Sequence, residues 1–162
     1  MYQEGHSGFN ALLYAPFLPV VADTASLELA LVGALIAIGV ANLPDIDQRL
    51  PLIDHRGPTH TAWFAALVGV AVGVGTAAAL PESPQGFRFG FAVGTCGILA
   101  HLAGDVVTPM GIAPFAPVWR RHVTLGWFKS KNARINRAVL LAGSSALAAS
   151  VCLALVGPAA GL

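Results

Sequence analysis

The chain has 162 residues, of which 56% are hydrophobic and only 10% charged, with a formal net charge of +1 and a mean hydropathy of +0.70. Soluble domains carry about 25% charged residues, and a globule of this length has too little interior to hide so much apolar surface from water. The composition therefore excludes an ordinary soluble domain and predicts a single-domain integral membrane protein.

Five apolar runs predict an all-α bundle of about five transmembrane helices, since a span needs about 17–25 residues. In chain order they cover residues 8–22, 27–43, 59–80, 89–107 and 138–157. The first run is the weakest, because Pro16 and Pro19 interrupt it, and it is expected to be kinked or re-entrant. The N-terminal sequence carries no positive residue, so a cleaved signal peptide is not expected. Glycines such as Gly69 and Gly73 let helix backbones approach closely and predict tight packing.

Basic residues orient the predicted bundle. Arg49 and Arg56 lie between the second and third runs, whereas only Arg88 falls in the opposite set of loops. Six more lie before the fifth run or at its start: Arg120, Arg121, Lys129, Lys131, Arg134 and Arg137. The positive-inside rule places these basic loops, and the N-terminus, on the cytoplasmic side of a plasma membrane.

The loop at residues 112–137 alternates aromatic with basic side chains, a composition typical of a segment that lies at the level of the lipid headgroups. An interfacial anchor is the simpler interpretation. The alternative is a wall of an active-site cleft, in which Arg120 and Arg121 or Lys129 bind an anionic headgroup, at about 1 kcal/mol per basic residue near the surface. Membrane lipid is thus an expected partner. Nucleic acid is not, because the basic residues are few and topology explains them.

Seven acidic or imidazole side chains stand at the ends of the apolar runs, all on the predicted cytoplasmic side: His6, Asp45, Asp47, His55, His60, His101 and Asp105. Ionisable groups are costly there unless they bind something. In the sequence HLAGD, His101 and Asp105 are four residues apart on one helix face and can reach a common ion. The alternative is a capping aspartate with an interfacial histidine.

Two further segments complete this set. In LPDID, Asp45 and Asp47 follow a helix C-terminus, where carboxylates oppose the helix dipole unless a cation neutralises them. In HRGPTH, the proline opens a helix, so His60 lies in its first turn and His55 just outside. Arg56 presents a planar fork suited to phosphate oxygens. An exposed loop with a lipid-facing Arg56 is the alternative interpretation.

The ligand types indicate the metal and the chemistry. Histidine and carboxylate without thiolate suit zinc first, with manganese or iron as alternatives, and seven candidates exceed the needs of one tetrahedral ion. We therefore expect two ions, which can activate a water and stabilise both oxygens of a displacement at phosphorus. A metal-bound hydroxide would attack a phosphoester, with Asp45, His60 and Arg56 as catalytic residues and Arg56 holding the phosphate. Cys96 and Cys152 lie within apolar runs and are expected only to pack.

The motifs also resemble a known family. His6 near the N-terminus, PDID, HRGPTH and HLAGDVVTPMG, in that order, are similar to the pattern of the YdjM-like membrane-bound metal-dependent hydrolases, named for a bacterial inner-membrane protein under SOS control. The resemblance covers most of the chain. It implies a polytopic hydrolase whose His and Asp motif residues are the seven named above. The HxxxD helix is also similar to that of zinc-dependent phospholipase C and P1-type nucleases, which points by analogy to phosphoester chemistry. We expect the substrate to be a phospholipid or an isoprenoid phosphate that reaches the site from the cytoplasmic leaflet.

Two other functions stay open. A metal-ion or proton transporter would also use intramembrane Asp and His, but it should place polar groups near the membrane midplane. The middles of the predicted helices are almost entirely apolar, and no inverted repeat is evident, so transport ranks second. A non-catalytic assembly subunit would bind no metal at all.

Overall fold

A computed structural model describes residues 1–52, 54–81 and 85–157 of the chain. Within them the predicted all-α transmembrane bundle is confirmed. The helices are α1 (Gln3–Tyr14), α2 (Phe17–Thr24), α3 (Leu27–Val40), α4 (Ala62–Ala79), α5 (Gly86–Val106) and α6 (Ala133–Val156). Two short 3-10 helices, Pro44–Arg49 and Pro58–His60, lie between α3 and α4.

In the part of the chain that the structure describes, four stretches are long and apolar enough to cross a membrane: Leu27–Arg49, Ala62–Ala79, Gly86–Val106 and Ala133–Val156. The first predicted run instead forms the helix pair α1 and α2, which meet at Ala15 and Pro16. Both residues keep right-handed helical backbone angles. Proline has no backbone N–H and its ring crowds the preceding turn, so the helix is interrupted here without leaving helical backbone geometry.

Helices α4 and α5 pack closely because glycines remove side chains from their interface. A Cβ added at Gly73 would lie 2.9 Å from the ring and the carbonyl oxygen of Phe87 on α5. One added at Gly94 would lie 2.9 Å from Cβ of Val72 on α4. Small residues at these positions let the two backbones approach, as the glycine spacing predicts.

Helix α1 packs against α6 through a still closer contact of two glycines. A Cβ added at Gly143 would overlap the carbonyl group of Gly8, and one added at Gly8 would overlap the backbone of Leu140. Helix α1 also contacts α3 and α5. These contacts hold the N-terminal helix, and His6 with it, inside the bundle.

One end of the bundle is covered by the irregular segment 107–132. Leu125 and Trp127 donate backbone hydrogen bonds to the carbonyls of Val106 and Val107 at 2.7 and 2.9 Å. The segment therefore folds back over the C-terminus of α5. The predicted interfacial loop begins within this segment, and its last residues, 133–137, belong to α6.

Candidate metal centre

Four acidic and imidazole side chains converge at the covered end of the bundle. Asp45 comes from the 3-10 helix after α3, His60 from the 3-10 helix before α4, and His101 and Asp105 from the last turns of α5. One candidate ligand atom from each lies within 4.8 Å of those of the other three. Asp45 is partly exposed, whereas the other three are buried. Residues far apart in sequence thus form one compact group.

The distances within this group suit ligands around a common ion. Asp105 Oδ2 lies 3.3 Å from His60 Nε2 and 3.6 Å from His101 Nε2. Asp45 Oδ1 lies 3.6 Å from His60 Nε2 and 4.0 Å from His101 Nε2. The two Nε2 atoms are 3.2 Å apart. Two carboxylates and two imidazoles around one point form a donor set that fits zinc, manganese or iron.

The outer nitrogen of each imidazole is held by an acceptor. His101 Nδ1 lies 2.7 Å from the carbonyl oxygen of Ala41, and His60 Nδ1 lies 3.2 Å from Asp47 Oδ2. An acceptor at Nδ1 favours the tautomer protonated there, which leaves a lone pair on each Nε2. Lone pairs that face each other repel unless a proton or a cation lies between them. The second contact of each ring is therefore the kind that orients a metal ligand.

His60 lies before α4, and its pKa is raised above the usual value. Burial disfavours the charged ring, but hydrogen bonds to Asp105 and Asp45, together with nearby negative charge, outweigh that effect. A proton and a metal ion thus compete for the same ring nitrogen.

Asp47 lies behind His60 and joins a second group. Its Oδ2 accepts hydrogen bonds from the Thr59 hydroxyl at 2.8 Å and the Arg56 backbone N–H at 3.0 Å. Its Oδ1 lies 2.9 Å from Nδ1 of His55. Ligand atoms of Asp47, His55 and His60 lie within 4.8 Å of one another. His60 therefore belongs to both groups and contacts Asp47 through Nδ1.

His6 approaches the first group from α1. Its ring stacks on His101 with centroids 3.7 Å apart, and its Nε2 lies 3.5 Å from Asp105 Oδ1. The amino group of Met1 contacts the same oxygen. Nδ1 of His6 is buried, and among the described residues it has no hydrogen-bond partner. All seven residues predicted as ligands thus lie at one end of the bundle, in contact with one another.

Arg56 donates hydrogen bonds within the site from both terminal nitrogens of its guanidinium. Nη1 donates to the Thr108 hydroxyl at 3.1 Å and to the Gly111 carbonyl at 2.9 Å, and Nη2 donates to Asp105 Oδ1 at 2.8 Å. Its backbone φ of 62° is uncommon for a residue other than glycine and directs its N–H to Asp47. The predicted role of Arg56 in holding phosphate stays a prediction. Its contact with Asp105 adds a second role, in which Arg56 positions the Asp105 carboxylate.

A polar cavity of 820 Å³ opens beside the first group. Asp45, His55 and Arg56 line it, and Arg49 and Lys131 bring further positive charge. The sequence offered no sign that these two residues, so far apart along the chain, face one cavity.

Arg120 and Arg121, predicted to bind substrate, are exposed on the irregular segment. Arg121 lies 6.0 Å from the ring of Trp119, a contact typical of a cation–π pair. Neither arginine is among the described residues that line the polar cavity. Their substrate role stays a prediction, and Arg49 and Lys131 are closer candidates.

Comparison with known families identifies one match. A family model described as YdjM inner membrane protein matches residues 1–160. The match covers nearly the whole chain and confirms the resemblance that the motif order predicted. Searches of curated proteins and of solved structures find no match.

Proposed function

The chain belongs to the YdjM inner membrane protein family, and we propose that it is a membrane-embedded, metal-dependent hydrolase that acts on a phosphoester. The observation that carries this proposal is the pair of buried imidazoles whose Nε2 atoms face each other 3.2 Å apart beside two carboxylates. Each Nε2 also lies near the carboxylates of Asp105 and Asp45, so two rings and two carboxylates converge on one point, which a helix interface held by hydrogen bonds does not require. Here the outer nitrogens are held and the inner ones are left to share an ion.

We assign Asp45, His60, His101 and Asp105 as the ligands of one divalent transition metal, with zinc the first choice and manganese or iron next. A bound metal of this kind supplies Lewis acidity and lowers the pKa of a coordinated water. Asp47 keeps the His60 proton on Nδ1. Asp45 is the partly exposed member and also lines the polar cavity, so it is the ligand that an incoming substrate meets first.

A second ion, predicted from the number of ligands, would use His6 or His55. His55 forms a group with Asp47 and His60, and His6 faces Asp105 Oδ1. An ion in the His55 group would need a lone pair on His60 Nδ1, whereas a neutral imidazole has only one lone pair and the first group uses it. We therefore propose one tightly bound ion, and metal stoichiometry tests the second.

The charge around the polar cavity supports a phosphate substrate. Arg49, Arg56 and Lys131 line it together with Asp45 and Glu4, so its basic side chains outnumber its acidic ones. Most basic residues of the chain lie at this end of the bundle, so the positive-inside rule favours an opening to the cytoplasm. The exposed aromatic side chains of Trp119 and Trp127 are suited to the headgroup level of that leaflet.

Transport remains the second candidate, because buried His and Asp can mark an ion pathway. The His and Asp cluster lies at one end of α5, whereas a transport pathway needs polar groups along the middle of the spans. A non-catalytic subunit would not account for the two Nε2 atoms that face each other. It would also not account for the acceptors that hold Nδ1 of both rings.

Metal content and phosphate release test the proposal. Purified wild type should retain about one transition metal ion per chain and release phosphate from at least one lipid phosphate. Asp105→Asn and His101→Ala should lose both, whereas Asp23→Asn, a change to an exposed carboxylate of α2, should keep both. A wild type without transition metal would refute the proposal. Metal flux into vesicles without hydrolysis would replace it with transport.

A further inference from the structure

An apolar groove of 540 Å³ lies between the α1–α2 pair and α5. Its α5 wall runs from Phe89 to Ala103, which is about 21 Å along the helix axis at 1.5 Å per residue. One leaflet of the hydrocarbon core is about 15 Å thick, half of the full core. The groove is thus long enough to hold a lipid chain that lies along the membrane normal.

The groove ends about one helical turn from the first metal group. Gly97 lines it four residues before His101, on the same face of α5. On the opposite wall, the Asn10 side chain donates to the carbonyl oxygen of His6 at 3.2 Å. His6 in turn stacks on His101. The last residues of the groove are therefore within about one helical turn of the ligands, on the helices that carry them.

The size of the groove favours a chain over a helix. Its volume is 540 Å³ over about 21 Å of α5. A helix with its side chains is 10–12 Å across, so the same length of helix occupies about 1,700 Å³ or more. A whole helix is therefore too large to lie inside the groove and could pack only against its opening, whereas one extended hydrocarbon chain is small enough to lie within it. The small side chains of Ala37, Gly97 and Ala100 contribute to its lining.

We propose that this groove holds the hydrocarbon chain of a single-chain lipid phosphate whose phosphate lies at the metal group. The proposal rests on the proposed function and specifies its substrate class. The apolar groove ends about one helical turn from the ligands, and the polar cavity is lined by the ligand Asp45 together with Arg49 and Lys131. A single-chain amphiphile matches both, because its tail and its anionic headgroup each have a complementary surface.

Two native cysteines provide a matched pair of probes. Cys96 lines the groove, and Cys152 is exposed on α6 outside it. The metal-loaded protein, in a sterol-based detergent that has no alkyl chain, is labelled with a membrane-soluble maleimide in the presence of hexadecylphosphonate, a phosphate analogue whose C–P bond a phosphoester hydrolase does not cleave. At a ligand concentration of about ten times Kd, labelling of Cys96 should slow about tenfold while that of Cys152 stays constant. Unchanged labelling of Cys96, or equal protection by hexadecanol, would overturn the proposal.

Two tryptophan variants sharpen this test. Ala103→Trp fills the groove near the metal group and should abolish the protection of Cys96. Ala66→Trp is the matched control, because Ala66 is exposed at the same end of α4 and does not line the groove. Protection that persists in Ala103→Trp would refute the groove as the binding site. Stronger protection by dihexadecyl phosphate would refute the single chain, and a Cys96–Cys96 cross-link between copies would show a second copy instead.

These outcomes separate the groove from the hydrolase itself. A wild type that binds metal and hydrolyses a water-soluble phosphoester, yet shows no protection of Cys96, would refute the groove and leave the proposed function. Protection of Cys96 in a protein that holds no metal would refute the proposed function while supporting a lipid site.

Discussion

Replacement of Asp47 by asparagine tests whether Asp47 orients the metal ligand His60 or is itself a metal ligand. Asp47→Asn should weaken metal binding about 10–100-fold, the usual effect of losing the partner of a metal-bound histidine. This corresponds to about 1.4–2.8 kcal/mol of binding free energy. The number of ions bound per chain should not change.

The structure explains why the loss should be partial. Asparagine can keep its oxygen toward the Thr59 hydroxyl, the Arg56 N–H and His60 Nδ1, and turn its amide group toward His55. The substitution therefore removes the negative charge and retains the shape. His60 keeps an acceptor at Nδ1 but loses the charge that makes Nε2 a stronger donor to metal.

Chelator competition with zinc on purified protein measures the affinity, and elemental analysis measures the stoichiometry. Asp105→Asn is the comparison, because it removes a member of the first group and should abolish stable binding. If Asp47→Asn loses a whole ion per chain, Asp47 is itself a ligand and the second group holds metal. An unchanged affinity would refute the orienting role.

Three further experiments test the contacts of Arg56, His60 and Gly143. Arg56→Ala should lower the free energy of unfolding by about 1–3 kcal/mol, because it removes one of the two cations that contact the buried Asp105 carboxylate, the other being the Met1 amino group; thermal unfolding with metal removed measures this. Zinc affinity should stay constant above the raised pKa of His60 and fall about tenfold per pH unit below it, because one proton must leave the ring before zinc binds. Competition titrations at several pH values measure this, and an affinity that does not change with pH would contradict it. Gly143→Val should destabilise the α1–α6 contact by about 1–3 kcal/mol or more, whereas Gly39→Val, at a site with open space, should not.

The fold was largely predictable because membrane helices are specified by local sequence. Length and apolar composition locate the spans, and glycine spacing predicted tight helix packing, which α4 and α5 show, but not which helices would meet. The pair Gly8 and Gly143 was not predicted, because its members lie on helices far apart in the chain and neither forms a repeated motif. The break at Pro16 was indicated by the residue type alone.

The members of the candidate site were predictable, but their roles were not. Ionisable side chains are recognisable in an apolar chain because their burial costs free energy, so His60, Asp47 and Arg56 were all identified from sequence. Which nitrogen of His60 faces an acceptor depends on a contact across the 3-10 helices that sequence spacing does not encode. Likewise, the guanidinium of Arg56 is held by Thr108 and Gly111, which lie in the HLAGDVVTPMG segment but whose contact with Arg56 sequence spacing does not encode.

The position of the group relative to its two cavities limits the substrates that the proposed hydrolase can use. A site for small soluble phosphoesters needs only the polar cavity, and an adjoining groove along α5 would then expose apolar surface without function. A site for an amphiphile needs both, with the cleavable bond at the metal group. Asp45 lines the polar cavity, and His6 and His101 lie one helical turn beyond the groove residues Asn10 and Gly97. The chain length of the best substrate should therefore follow the length of the groove, whereas its headgroup should depend on Arg49 and Lys131.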